Sequence, residues 1–317
     1  MTDHQPPKSL LHLHPLPPTS LPSHPILSPH QPTPSSLPPL SVFAANALSE
    51  ATTLIDKTLP STFTSTTKSK PSPPSTAPVE LLSRSIPASS LPEGVKGAGD
   101  SSSKGEAWFA RRSRHEDKKE KGTATWEEFE DGLLREHSKH EGEYTPDVYD
   151  AVEVVRWGSE EIGVVEGFEG VGVCVYEMAH HIPPPLSNRV FSVVVVTAHT
   201  PNPTSEGLPA FIVVQIPVDI SMVKEAMYSN GRHKTEGDTA EKKKPVTVGQ
   251  YTSVERVKAV KGKEEGGLNE IVWEMATASD ARGSLPMAIQ KMSVPGAIAK
   301  DVGYLLGWVA QRRSSAA

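Results

Sequence analysis

The residues of this chain that could do chemistry are few, and their spacing does not bring them together. His180 and His181 are adjacent, and adjacent side chains on an extended chain point to opposite sides, so they do not converge on one metal or one proton. Ile182-Pro183-Pro184-Pro185 follows them, which makes a loop the better reading. Cys174 stands in no reactive motif and reads as a buried, inert thiol. Asp280 lies in Ser279-Asp280-Ala281-Arg282-Gly283-Ser284, a string of turn formers, and reads as the cap of a corner rather than as an acid or base. His4, His12, His14, His24 and His30 are irregularly spaced with no thiol among them, unlike a zinc site. The chain has no phosphate-cradling glycine loop and no Gly-x-Ser-x-Gly elbow. These observations predict a protein that is not an enzyme and that carries neither cofactor nor metal.

The composition narrows the class. The chain has 317 residues, 30 prolines, one cysteine, a formal net charge of −6 and a pI of about 6.1. An acidic balance argues against nucleic acid as a partner. A single cysteine excludes an internal disulfide and fits a reducing compartment. No signal-peptide pattern opens the chain, and no apolar run reaches the ~18 residues of a membrane span. A soluble, cytoplasmic protein is the expectation. Residues 1–39 hold twelve of the prolines and are expected to be a disordered tail, as are residues 314–317.

The elements that must position any site follow from periodicity. Phe43, Ala47, Leu48, Ala51, Leu54 and Ile55 form one apolar stripe, predicting a helix over Phe43–Leu59. A helix or turn is expected near Val79–Leu82, and a strand at Ala107–Ser113, with Arg111–Lys121 as a solvated hairpin edge. Thr125-Trp126-Glu127-Glu128 is a capping box opening a short helix that ends near His137–His140. Six β-rich stretches come next: 151–157, 171–178, 189–198, 210–218, 246–260 and 271–278. Residues 221–245 read as a mobile insertion. The chain then ends in a long helix from Pro286, with Ile289, Met292, Ile298, Val302, Leu305 and Val309 on one face. This order predicts an α+β protein, an antiparallel sheet curved around one amphipathic helix.

Several strings carry a family resemblance. Pro183-Pro184-Pro185-Leu186-Ser187-Asn188-Arg189-Val190-Phe191 resembles the Pro…Arg-Asp-Phe segment of START lipid-transfer domains. Tyr251-Thr252-Ser253-Val254-Glu255-Arg256-Val257 resembles their Val-Arg strand, and Ser279–Pro286 resembles their corner before the last helix. Trp108–Ser113 and Gly122–Phe129 look more specifically like a fungal START-like family catalogued as a domain of unknown function, DUF3074. The resemblance spans about Leu40–Arg313, taken as one domain. Val190 stands where the START domains have an acid, so any ion pair of that acid is absent here.

The resemblance implies a helix-grip fold of the SRPBCC superfamily, with an apolar cavity between sheet and final helix. Val193–Val196 and Phe211–Val214 are apolar on both faces, so both faces must be covered or line something. Tyr176, Arg189, Gln215 and Arg256 are the candidate polar groups fixing a ligand, with Met275 and Gly303 on the walls. Gly296, Gly303 and Gly307 would serve either a ligand or close packing of the helix. The function expected is non-enzymatic binding or transfer of a lipid or other hydrophobic small molecule. The alternatives are a helix-grip enzyme of cyclase or hydrolase type, marked by buried titratable groups with opposed pKa shifts, and an interaction module with a filled cavity. Lysines at 242–244 and 258–263 would hold the opening at an anionic membrane surface.

Overall fold

The computed structural model describes residues 9–65, 69–92, 105–183, 186–202, 207–233, 242–243, 246–262, 269–282 and 287–315. The strands are β1 (Thr64–Ser65), β2 (Glu80–Ile86), β3 (Glu106–Glu116), β4 (Val148–Trp157), β5 (Glu169–His180), β6 (Arg189–His199), β7 (Ala210–Pro217), the two-residue pair β8 (Arg232–His233) and β9 (Lys242–Lys243), β10 (Thr247–Val260) and β11 (Glu270–Asp280). The helices are α1 (Leu40–Thr53), α2 (Leu59–Thr62), α3 (Trp126–Leu133), α4 (His137–Tyr144), α5 (Ser159–Ile162) and α6 (Met287–Ser315). Nine strands form one sheet in the order β1-β2-β3-β11-β10-β7-β6-β5-β4. Its neighbours pair antiparallel throughout, apart from a short parallel contact where β10 outruns β7 and its Thr247–Gly249 meets Arg189–Phe191 of β6. Pro217 ends β7 there, since it has no N–H to give a ladder.

Alternation along the strands gives each face its own cover. Val194, Val196, Ile212, Val214, Ile216, Val254 and Ala276 pack with α1 through Phe43, Ala44, Ala47, Leu48 and Ala51. Val193, Val195, Phe211, Val213, Val257, Trp273 and Met275 pack with α6 through Ile298, Val302, Leu305 and Val309. The α+β helix-grip arrangement is therefore present: a large antiparallel sheet with the long final helix across one face. Met292, expected on the buried stripe, is 82% exposed, and the Ile289 side chain lies outside the described residues.

Three regional expectations are corrected. From residue 9 onward the proline-rich segment is packed, not disordered. Leu11, Leu13, Leu21 and Leu27 are buried in the α1-side core. The Leu16 N–H donates to the Pro217 carbonyl, the Asp219 N–H donates to the Leu16 carbonyl, and the Trp157 indole donates to the Ser23 carbonyl. Proline at this density does forbid long helices and ladders, but the leucines between supply apolar area that a disordered chain lacks. Residues 80–86 form a strand, which puts β3 inside the sheet and buries Arg111, Ser113 and His115 of the supposed solvated edge. In 221–245, the described part to residue 232 is anchored rather than mobile. The fully buried Glu177 carboxylate accepts from the backbone of Met227, Tyr228 and Ser229 at 2.6, 3.0 and 2.8 Å, and Val223, Ala226 and Tyr228 are buried.

The described part of the corner before α6, through Arg282, carries the expected cap; residues 283–286 lie outside the described residues. Asp280 Oδ1 accepts from the Arg282 N–H at 2.8 Å, and Arg282 takes a left-handed φ of 48°. The Arg189 guanidinium donates to the carbonyls of Ala281 (2.6 Å), Arg282 (3.2 Å) and Ser187, tying β6 to that corner.

Candidate functional site

Strand register lays the α6-facing side chains out in rows. Arg111 of β3 stands opposite Met275 of β11, which stands opposite Glu255 of β10, which stands opposite Val213 of β7. In the next row Phe109, Thr277, Ser253, Gln215, Val195 and Cys174 follow in the same way. The β10 residues Tyr251, Ser253 and Glu255 thus line one face at the two-residue period of a strand. Above them lie α6, carrying Asp301, and α4. The expected single helix ending near His137–His140 is divided. Glu136 adopts a left-handed φ of 44°, ends the first helical segment and starts α4, whose His137, Ser138 and Tyr144 are turned inward.

The polar groups of this interior form two clusters. In the first, Glu255 Oε2 accepts from Arg111 Nη2 at 3.3 Å and from Trp273 Nε1 at 2.8 Å, while the guanidinium lies 3.8 Å over the Trp273 ring. Arg111 is 1% exposed, and its Nε and Nη1 have no partner among the described residues, a condition that Ser138 Oγ shares; the Ser253 hydroxyl is engaged by that of Tyr251. In the second, His137 Nδ1 lies 2.7 Å from the Leu133 carbonyl and so carries the proton, which leaves Nε2 to accept from Gln215 Nε2 at 3.0 Å. Gln215 Nε2 also reaches Glu141 Oε2 at 3.5 Å.

Electrostatics follow from burial with too few cations. Burial pushes the Glu141 carboxyl up to about 8, and the Glu255 carboxylate adds to the shift. Burial raises Asp301 to about 7; Arg111 opposes this, and Glu255 and Glu141 reinforce it. Burial raises the Tyr251 and Tyr144 hydroxyls well above their ordinary value and holds the His137 imidazole below its own. At neutral pH the interior therefore contains one ion pair, a neutral imidazole, neutral Glu141 and tyrosine O–H groups, and an Asp301 carboxyl near its midpoint. Glu141 is enclosed deeply enough for that shift, yet 20% of its side chain is accessible, and Asp301 and Tyr251 are likewise only half-buried.

Of the residues expected to line the interior, Gln215 and Met275 lie in these rows. Tyr176 is on the same face and its ring is buried, but its hydroxyl donates to Glu153 Oε2 at 2.8 Å at the sheet edge. Arg189 is committed to the corner. Arg256 is a correction: one residue from Glu255, it faces the α1 side, where it pairs with Asp56 at 2.7 Å. Gly303 is another, since a Cβ there would lie 2.4 Å from the Pro73 carbonyl oxygen; its lack of a side chain lets the Ser72–Pro73 turn sit against the helix. Gly307 faces Pro74, and a Cβ at Gly296 would meet nothing within 4 Å. Lys258 is paired with Glu274 at 3.5 Å, and the side chains of Lys242–Lys244 and Lys263 lie outside the described residues. No cluster of histidine, cysteine or carboxylate with metal-binding geometry occurs among the described residues, and no helix there is long and apolar enough to cross a membrane.

A sheet gripping its last helix, with the polar groups on the gripped side, defines the class as an α+β helix-grip domain. The family described as "Protein of unknown function (DUF3074)" matches residues 108–309, and the chain belongs to that family. Among solved structures it is similar to human STARD10, with 12% identity, 85% of this chain and 82% of that chain covered, and a TM-score of 0.47. Human StAR-related lipid transfer protein 5 is 11% identical, with 84% and 98% covered and a TM-score of 0.45. A STAR-related lipid transfer protein fragment from Xanthomonas axonopodis is 11% identical, with 78% and 98% covered and a TM-score of 0.40. No curated protein matches the sequence.

Proposed function

We propose that this protein binds a lipid or other hydrophobic small molecule between the sheet and α6, and carries it without chemical change. The observation that carries this reading is the state of Glu141, Asp301 and Tyr251: enclosed deeply enough for their ionisation to shift strongly, yet partly accessible. Groups of that kind border a space inside the protein rather than its outer surface. The surrounding walls are apolar, formed by Val193, Val195, Phe211, Val213, Met275 and Leu305, so filling the space would remove ligand surface from water at roughly 25 cal/mol per Å².

The opposed shifts on His137 and Glu141, whose Nε2 and Oε2 lie 3.6 Å apart, favour an acid–base enzyme as a second reading. Binding is preferred because both imidazole nitrogens are engaged, one by the Leu133 carbonyl and one by the Gln215 amide, leaving no free lone pair to take a proton. Mass spectrometry under native conditions, followed by organic extraction of the purified full chain, tests the two together. A hydrophobic molecule recovered unaltered at near-stoichiometric yield is expected. Failure to retain any molecule, combined with no uptake of fluorescent sterol, fatty acid or phospholipid, would overturn binding; a time-dependent change in the ligand's mass would establish the enzyme.

A further inference from the structure

Resting on that reading, we propose that the bound molecule has a single uncharged oxygen head, a hydroxyl or a carbonyl, which sits among Arg111, Ser253 and Glu141. The unmet groups of the interior argue for an oxygen. Arg111 Nε and Nη1 are buried without partners among the described residues, and each unmade hydrogen bond of this kind costs about 1–3 kcal/mol; the Ser253 hydroxyl, engaged by that of Tyr251, keeps further hydrogen-bonding capacity beside them. Ser253 and Gln215 stand directly opposite in register, and Glu141 lies over Gln215. Arg111 lies one row further along, beside Met275. An oxygen placed between the rows accepts from the guanidinium, and a hydroxyl there also donates to Ser253 or Glu141.

The charge balance argues against an ionised head. Arg156 and Arg189 share this face's parity but are held by Glu153 and Glu136 and by the corner carbonyls, so Arg111 is the guanidinium left among these rows, and it is already matched to Glu255. A phosphate or carboxylate would satisfy Arg111 but bring a second anion beside Glu255, with no further cation in these rows to match it. An ammonium, with donors and no acceptor, would leave Arg111 unmet and put a second cation beside the first. A neutral oxygen meets the donors without changing the charge of the enclosed space.

Probes that share one chain and differ only at the head test this. Full-length protein would be incubated with phosphatidylcholine vesicles carrying trace radiolabelled hexadecan-1-ol, palmitate, hexadecylamine, hexadecylphosphocholine or hexadecane, and the protein-bound fraction measured at pH 7. The alcohol should be retained at least tenfold better than each charged probe and better than the headless alkane. A charged head held as well as the alcohol, or an alkane held equally, overturns this inference while leaving hydrophobic binding standing; retention of none overturns both. Ser253→Ala, which removes one small hydroxyl and should still fold, is expected to weaken alcohol retention about threefold or more and leave the alkane unchanged; an equal effect on both, or on neither, would displace the head from this place. Glu141 and Asp301 are faced by Arg111, Glu255, Tyr251, His137, Tyr144 and Gln215 from β3, β10, α4 and β7. Desolvating them favours their neutral forms, so alcohol retention should fall as pH rises from 6 to 9. A rise over that range would indicate a cationic ligand and overturn the proposal.

Discussion

The two faces of one sheet solve the placement of charge in opposite ways. On the α1 side the charged groups are matched even where they are buried: Arg112 with Glu274 at 2.8 Å and Glu80 at 3.5 Å, Arg256 with Asp56 at 2.7 Å, Lys258 with Glu274 at 3.5 Å. The middle of that face is aliphatic, sealed by α1 and the leucines of the N-terminal segment. On the α6 side, one guanidinium faces three carboxyl groups in the interior itself. Burying ionisable groups without partners destabilises a fold, so an arrangement that only held the sheet together would resemble the α1 side. The contrast separates a structural core from a surface kept for something else.

The largest effect should come from removing α6. Truncation before Met287 takes away Ile298, Val302, Leu305 and Val309, the cover of one entire face. No cooperative melting transition is expected in the fragment, and recovery of a soluble, cooperatively melting one would mean that the sheet stands without its grip. Deleting residues 1–39 removes four buried leucines worth about 1.5–3 kcal/mol each, so the melting temperature should drop by roughly 10 °C or more. A change below 2 °C would show that the α1 side closes without the segment. Gly303→Leu should destabilise by about 1–3 kcal/mol, because its side chain collides with the Ser72–Pro73 backbone. Ligand uptake per folded molecule should be unaltered; a selective loss of uptake would place Gly303 at the ligand after all.

The smallest effect separates the faces by pH. Glu141 and Asp301 bind protons more tightly folded than unfolded, so the stability these two contribute is full below about pH 4 and is lost as pH rises toward about 8 and 7. Glu141→Gln and Asp301→Asn should flatten that decline in denaturant titrations between pH 5 and 8. The Asp56→Asn substitution on the opposite side should leave it in place. Equal slopes in all three variants would remove the electrostatic contrast.

Much of the architecture was legible in the sequence because turns and periods are local. The capping box at Thr125, the Asp280 corner and the six later strands all formed where residue types placed them. The site was harder because face assignment depends on parity, and a shift of one residue reverses it. Val193–Val196 and Phe211–Val214 are apolar at every position, so they offer no phase. In β10 polar residues occupy both faces, and Arg256 was expected where Glu255 stands. Arg111 was hidden in a charged run that reads as solvated until β2 encloses it. A signal did exist: Tyr251, Ser253 and Glu255 recur at every second position of β10.

The pairing of Leu16 with Val218 has a consequence for the time course of folding. Its two partners are separated by most of the chain, as are β3 and β11. At 5–20 residues per second of synthesis, the leucines of the N-terminal segment wait roughly 10–40 s for the strands that receive them. During that interval the segment has nothing to bury itself against, and its prolines keep it from recruiting stray strand edges. Closure of the α1 side is thus a late and strongly non-local event, and refolding should be slow for a protein of this size.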